Sequence, residues 1–70
     1  MFLSIGIPAH NEENTIARTI KSILKNSAWK KSFGKREIIV CCNDCTDTTA
    51  DIVRNLKLVI PEIQLIEVAE

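Results

Sequence analysis

Glycine and proline are scarce in this sequence of 70 residues, which contains two of each. That scarcity excludes the common phosphate-binding loops. A Rossmann dinucleotide site needs a glycine-rich turn after its first strand, and a P-loop needs GxxxxGK followed by serine or threonine. Neither pattern occurs in the sequence. Any phosphate group must therefore be recognised by side chains, because closely wrapped backbone requires glycine.

Net charge and long apolar runs are absent as well. Nine basic and nine acidic residues give a formal net charge of zero, so nothing indicates electrostatic binding of nucleic acid. The basic residues within 30–36 lie in a polar stretch that is typical of a solvated loop. No apolar run approaches the roughly 20 residues of a membrane-spanning helix. The N-terminus also lacks the basic and apolar regions of a signal peptide.

Cysteine is limited to Cys41, Cys42 and Cys45. An odd count in so short a segment is a poor disulfide framework and favours a reducing, cytoplasmic setting. Neighbouring residues of a strand point to opposite faces, so only Cys42 and Cys45 can share a ligand. A structural zinc site normally has four protein ligands. The pattern therefore favours small buried or turn residues, with a thiol or metal module as the alternative.

The first strand and the first helix are marked by their apolar patterns. An apolar run predicts a strand at residues 2–7, ended by Pro8. Isoleucine and leucine then recur at helical spacing, which predicts a helix from about residue 14 to residue 25. Asn11 or Asn14 is expected to cap this helix.

The middle of the chain combines a polar stretch with a second strand. Residues 26–36 predict a loop that packs Trp29 or Phe33 against the body of the protein. Residues 37–42 contain a continuous apolar run without alternation. That pattern is typical of a strand buried on both faces of a parallel sheet.

The last third of the chain completes an alternation of strands and helices. Thr46 or Asp47 is expected to cap a second helix, whose apolar positions fall within 52–56, and residues 63–68 predict a third strand. The order β-α-β-α-β predicts an α/β fold, namely one half of a doubly wound, Rossmann-like parallel sheet.

A sheet of this kind is incomplete by itself. If the strand order is 3-2-1, right-handed crossovers place both helices on one face and leave the other face bare. Two sheet edges also stay open. We therefore expect further chain to cover the sheet. The alternative is a second subunit, in a small domain that self-associates through an exposed edge or face.

Two polar segments follow neighbouring strands at the edge where α/β sheets bind ligands. They are residues 8–13, with the sequence PAHNEE, and residues 42–47, with the sequence CNDCTD. Each leads into a helix N-terminus, where free backbone N–H groups favour anions. Short polar side chains and carboxylates at this edge can hydrogen-bond a nucleobase and a ribose. Glu13 is interpreted as a charge that favours the helix N-terminus.

Both segments resemble the opening of family 2 glycosyltransferases. Residues 4–16 are similar to that family's first strand and its following proline, small residue, tyrosine or histidine, asparagine and two glutamates. Residues 37–50 resemble its second strand and the turn that ends in Thr-Asp-x-Thr. The two motifs stand in the expected order and about thirty residues apart, over nearly the whole chain.

The resemblance implies a GT-A fold and transfer of a sugar from a nucleotide-sugar donor to an acceptor. It identifies residues 1–70 as the N-terminal, nucleotide-binding part of a truncated GT-A domain, inactive by itself. The acceptor stays unknown, and many such enzymes work at the cytosolic face of a membrane. For Asp47 the resemblance implies a structural role. The residues that it assigns to nucleotide binding are Pro8, Ala9, His10, Glu12 and Asn43.

The sequence departs from the family at the second motif. Cys42 and Asn43 replace a pair of aspartates, Asp44 replaces glycine, and Cys45 replaces serine. An asparagine amide both donates and accepts hydrogen bonds, whereas an ionised aspartate only accepts them. The choice of nucleotide is therefore open.

The resemblance further implies a divalent cation, Mg or Mn, for the full enzyme. The family holds it through an Asp-x-Asp motif on a later strand, and no such motif occurs in this sequence. We therefore expect neither metal ligands nor catalytic residues within these 70 residues. Two other functions stay open: a self-associating nucleotide-binding or scaffold module without catalysis, and a thiol or metal module using Cys42 and Cys45.

Overall fold

A computed structural model describes residues 3–32 and 35–69. These residues form a single parallel sheet of three strands in the order β1-β2-β3. The predicted α/β fold and partial Rossmann-like sheet are confirmed, with one additional short helix. The elements are β1 (Leu3–Ala9), α1 (Ile16–Lys25), α2 (Ser27–Lys31), β2 (Arg36–Asn43), α3 (Thr49–Val59) and β3 (Ile63–Val68). None of the helices in the described ranges is long and apolar enough to cross a membrane.

Strand β1 continues through Pro8, where the sequence predicted its end. Pro8 pairs in register with Cys41 of β2, and the next residue, Ala9, pairs with Cys42. Proline has no N–H to donate. An edge strand tolerates it, because alternate N–H groups of such a strand point away from its partner. The predicted start at residue 2 lies outside the described residues.

Helix α1 forms where the isoleucine spacing predicts it, but neither predicted asparagine caps it. Its N-cap is Thr15, which makes no side-chain capping bond. Asn11 instead directs its carboxamide to the turn after β2. Ile16 and Ile20 are fully buried and face the sheet.

The stretch predicted as a loop contains helix α2. The Asn26 carboxamide oxygen accepts a hydrogen bond from the Ala28 N–H at 2.8 Å, which caps this short helix. Trp29 is only 3% exposed, as predicted, while Phe33 lies outside the described residues. The Arg36 guanidinium stacks 4.6 Å above the Trp29 ring and donates to the Trp29 carbonyl. These contacts tie α2 to the start of β2.

Among the described residues, the hydrophobic core lies on one face of the sheet only. Ile38, Val40 and Ile63 point from the strands into a cluster that also contains residues of all three helices. On the opposite face, Ile66 and Val68 are 48% and 43% exposed. The predicted bare face is therefore present within the described residues. The apolar run of β2 has one buried face and one that these residues leave open, rather than two buried faces.

Candidate functional site

The polar segments meet at the carboxyl-terminal edge of the sheet, as the sequence predicts. Loop A is defined as residues 10–15, between β1 and α1, and loop B as residues 44–48, between β2 and α3. The register sets the two loops side by side, because the last residue of β1, Ala9, pairs with Cys42. Parallel α/β sheets bind their ligands at this edge.

Asn11 joins the two loops through one oxygen atom. Its Oδ1 accepts hydrogen bonds from the Thr46 N–H at 2.8 Å and from the Asp47 N–H at 3.2 Å. The residue has φ of 51°, a left-handed conformation that asparagine tolerates better than most residues. Sequence reasoning missed this role, since a loop asparagine gives no local signal of its partner 35 residues away.

Glu13 and Asp47 form a second connection between the loops. Glu13 Oε2 accepts from the Thr48 N–H at 3.1 Å and from the Thr48 hydroxyl at 2.6 Å. The Glu13 N–H in turn donates to Asp47 Oδ2 at 3.3 Å. The carboxylate of Glu13, interpreted from the sequence as a charge that favours a helix N-terminus, thus lies at Thr48, the N-cap residue of α3, rather than in the first turn of α1.

Asp47 also organises the start of α3. Its Oδ1 accepts hydrogen bonds from the Thr49 N–H and the Thr49 hydroxyl. Partial burial acts to raise the pKa of Asp47, but the hydrogen bonds from Thr49 and from the Glu13 N–H outweigh it. The pKa of this carboxyl is therefore lowered from its ordinary value. These contacts agree with the structural role that the family resemblance implies.

His10 and Asn43 meet above the junction of β1 and β2. His10 Nδ1 lies 2.8 Å from the Asn43 carbonyl oxygen, and both side chains are exposed. An Nδ1–H tautomer donates to that oxygen and leaves Nε2 free to accept a hydrogen bond from a ligand. The Asn43 carboxamide can donate and accept at the same edge.

The remaining predicted site residues occupy different positions around loop A. Glu12 is exposed, its N–H donates to Thr49 Oγ1 at 2.8 Å, and its carboxylate accepts from Thr15 Oγ1 at 3.0 Å. Glu12 and Pro8 line a cavity of about 220 Å³ beside β1. Ala9 is buried beneath the loops. The structure thus brings His10 and Asn43 together. Pro8 and Glu12 line a cavity whose lining includes neither of those residues. Ala9 contributes its backbone rather than its buried side chain.

Cys42 and Cys45 are joined by a disulfide, so the expectation of a poor disulfide framework is wrong. Their Cα atoms are 5.8 Å apart, within the range that a disulfide spans. The intervening Asp44, with φ of 52°, bends the chain so that Cys45 returns towards the end of β2. An odd cysteine count could not reveal this, because two of three cysteines can pair and leave the third, Cys41, as a thiol.

The described residues do not fit a divalent cation. Across 3–32 and 35–69, no three carboxylate, imidazole or thiol groups converge on a point that could hold a metal ion. Cys42 and Cys45 are bonded to each other and present no thiolate in this state. The chemistry that this edge does offer is hydrogen bonding, through a histidine, a carboxylate and a primary amide.

Comparison with known proteins bears on both loops. A family model described as "Glycosyl transferase family 2" matches residues 4–69, which include loop A, loop B and the strands that carry them. No curated protein and no solved structure matches the chain. The similarity drawn from the two sequence motifs is thereby confirmed. The chain belongs to glycosyl transferase family 2.

Proposed function

We propose that loops A and B bind the nucleotide of a nucleotide-sugar donor, and that the full enzyme passes the sugar to an acceptor. One observation carries the proposal. His10 and Asn43 meet at the carboxyl-terminal edge of a parallel sheet, 2.8 Å apart and exposed, while hydrogen bonds between the loops fix the backbone beneath them. Family membership supplies the class of reaction.

The hydrogen bonds between the loops support binding by making the site pre-organised. Asn11 and Glu13 use their side chains on loop B and keep its backbone in one conformation. When the groups of a site are ordered before the ligand arrives, the protein loses less conformational entropy on binding. In the proposal, exposed groups of loop A and of the adjoining strand ends contact the ligand, and Asn11 and Glu13 hold the two loops together.

Each exposed side chain has a distinct role in the proposal. The Asn43 carboxamide and His10 Nε2 hydrogen-bond the base, since together they offer an NH₂ group with two N–H donors and two acceptor atoms. The Glu12 carboxylate accepts hydrogen bonds from the ribose hydroxyls. Pro8 and the Ala9 backbone form the wall of the site beside β1. We assign no catalytic role to these residues, whose part is to bind and orient the donor.

In this proposal the 70 residues are the nucleotide-binding portion of a GT-A domain. The proposal assigns the divalent cation that the family resemblance implies for the full enzyme, Mg or Mn, to other residues. The described residues contain no cluster of three metal-ligating side chains. No step of the proposed binding is routed through it.

The experiment is an amide NMR titration of the ¹⁵N-labelled chain with UDP and, separately, with GDP. We expect shifts confined to residues 9–13 and 43–47, and we expect them without magnesium. His10→Ala and Asn43→Ala should each weaken binding about three- to tenfold, as the loss of one hydrogen bond does. Asn14→Ala, an exposed amide in the same loop, is the matched control and should bind normally.

A dispersed spectrum that responds to neither nucleotide contradicts the proposal. Shifts spread evenly over the chain contradict it as well, as does equal weakening by the Asn14 and Asn43 variants. Magnesium is expected to leave the affinity of the isolated chain unchanged. A cation requirement would contradict this expectation and would mean that the chain binds the magnesium complex of the nucleotide.

A second candidate function is a self-associating module without catalysis. The observation that favours it is the open sheet face, where Ile66 and Val68 are about half exposed. This module requires a reversible dimer in sedimentation velocity runs at rising protein concentration. A monomer at all concentrations excludes it and leaves the donor-binding proposal untouched.

A further inference from the structure

The disulfide encloses Asn43 and Asp44, which form hydrogen bonds to elements on opposite sides of β2. The Asn43 carbonyl oxygen meets His10 Nδ1 of loop A at 2.8 Å. The next residue, Asp44, donates its N–H to the Val68 carbonyl of β3 at 2.7 Å. The Cys42–Cys45 bond therefore closes the turn that links loop A to the end of β3.

We propose that Cys42 and Cys45 form a reversible dithiol–disulfide site whose bonded state holds this turn in its nucleotide-binding conformation. The reaction partner is a thiol reductant, either a dithiol or two molecules of a monothiol such as glutathione. The link to nucleotide affinity rests on the proposed function. The reversible redox chemistry of the pair does not.

Burial makes the two sulfur atoms unequal. Cys42 is 2% exposed and lies within β2, whereas Cys45 is half-buried in the turn. The disulfide lines a cavity of about 150 Å³ that is partly open to solvent, between the turn and the end of β3. Thiol–disulfide exchange requires access of a thiolate to one sulfur of the bond. Cys45 Sγ is the more accessible target.

The exchange balances in two steps. A thiolate of the reductant attacks Cys45 Sγ, the bond to Cys42 breaks, and Cys42 leaves as a thiolate that takes up a proton. A second reductant thiol, as its thiolate, then attacks the mixed disulfide and releases Cys45, which is also protonated. The pair gains two electrons and two protons, and the reductant becomes a disulfide.

Reduction changes the contacts of Cys45 more than those of Cys42. In the bonded state Cys45 Sγ carries no proton, so its 3.6 Å contact with the Ala9 carbonyl is not a hydrogen bond. As a thiol it can donate to that oxygen. Two unbonded sulfur atoms must also move apart, and Cys42 is fixed in the buried strand. The movement therefore falls on Cys45 and the enclosed Asn43, next to His10.

The experiment uses the Cys41→Ser variant, because the free thiol of Cys41 would add to the measured number of thiols. Cys41 lies on the opposite face of β2 from Cys42, so its substitution leaves the disulfide in place. After equilibration in glutathione buffers of graded composition, we expect two free thiols at the reducing end and none at the oxidising end. The change should be reversible. The amide chemical shifts that differ between the disulfide-bonded and the reduced chain should belong mainly to residues 9–10 and 42–46.

Nucleotide titrations of the two forms test the coupling. We expect the reduced form to bind at least about fivefold more weakly, the lower end of common coupling between sites. The variant that also carries Cys42→Ser and Cys45→Ser should have the same nucleotide affinity in every glutathione buffer. That affinity should equal the affinity of the reduced form. UDP and GDP are the probes.

Each result has a definite reading. Two free thiols under every glutathione condition, or shifts spread over the whole sheet, overturn the redox site. Equal nucleotide affinity of both forms overturns the coupling. Absence of nucleotide binding in both forms, with reversible local shifts and thiol counts, overturns the proposed function while supporting the redox site.

Discussion

Asn11 and Asp47 connect the two loops through different chemistry. Asn11 uses one neutral amide oxygen to accept hydrogen bonds from two neighbouring N–H groups of loop B. Asp47 uses both oxygens of a carboxylate, one towards Glu13 and one towards Thr49. The first contact depends on a left-handed backbone conformation and the second on an ionised side chain, so substitution should affect them differently.

Substitution of Asn11 separates its hydrogen bonds from its backbone conformation. Asn11→Gly removes the acceptor but allows the positive φ, and should lower the free energy of unfolding by about 1 kcal/mol. Asn11→Ala removes the acceptor and adds about 1 kcal/mol of backbone strain. Urea unfolding midpoints should rank wild type above the glycine variant and the glycine variant above alanine. Equal midpoints for the two variants would show that alanine adopts the left-handed conformation at this position without a loss of stability.

Asp47 should make stability depend on pH. Its pKa is lower in the folded chain than in the unfolded chain, so the ionised carboxylate stabilises the fold above about pH 4. That stabilisation is lost as the pH falls through the folded pKa. Asp47→Asn should therefore unfold at lower urea than wild type at pH 7, and the difference should shrink by pH 3.

The control for Asp47 is Asp51→Asn. Asp51 is an exposed carboxylate of α3 that pairs with Arg54 at 2.8 Å. Exposed pairs of this kind contribute little, so this variant should stay near wild type. A stability difference for Asp47→Asn that is constant from pH 7 to pH 3 would mean that its ionisation has no part in the effect.

At the scale of elements, helix α2 is held by packing rather than by its own length. Helices much shorter than about 12 residues are marginal in isolation. Asn26 caps this one, Trp29 is buried beneath it, and Arg36 at the start of β2 covers the indole ring. A segment that the polar composition marks as a loop thus becomes helical because one aromatic residue enters the core.

Removal of the Trp29 side chain should unfold α2 and weaken the whole domain. Trp29→Ala should cost about 3–5 kcal/mol, as is usual for a buried aromatic residue. Leu58→Ala is the control, because Leu58 is 84% exposed. It should change stability by no more than about 0.5 kcal/mol. Urea unfolding followed by circular dichroism gives both values. Similar losses for both variants would show that α2 does not anchor the core.

At the scale of the whole molecule, residues 3–32 and 35–69 cover the sheet on one side. The three strands pair in sequence order, and residues of every helix join the same core cluster. Consecutive parallel strands with right-handed crossovers produce this arrangement. Adjacent residues of β2 therefore have unequal surroundings: Ile38 is fully buried, whereas Ile39 pairs with the exposed residues Gly6 and Gln64 on the open face.

Alanine substitutions of the neighbouring residues Ile38 and Ile39 compare how much each face of the sheet contributes to stability. Ile38→Ala should cost about 2–5 kcal/mol because it leaves a cavity in the core. Ile39→Ala should cost about 1 kcal/mol, since its side chain is only partly removed from water. Urea unfolding at two protein concentrations tests both values. If a second copy covers the open face, the Ile39→Ala cost will rise with concentration.

The order of strands and helices could be predicted from the sequence because periodicity is a local property. The isoleucines of α1 repeat at helical spacing, and the apolar run of β2 is bounded by polar residues. Once parallel pairing is inferred, both polar loops must lie at one edge of the sheet. The meeting of the two polar segments at one edge, where the candidate site lies, and the bare sheet face of the described residues therefore followed from the sequence itself.

The partners of individual side chains were decided by tertiary structure alone. The bond from Asn11 to loop B, the Glu13–Thr48 contact and the meeting of His10 with Asn43 all join residues more than 30 positions apart. Their formation depends on the register that sets Ala9 against Cys42. The disulfide depends on the left-handed turn at Asp44. A local pattern predicts which residues are exposed at a strand end, whereas register and backbone conformation determine which of them meet.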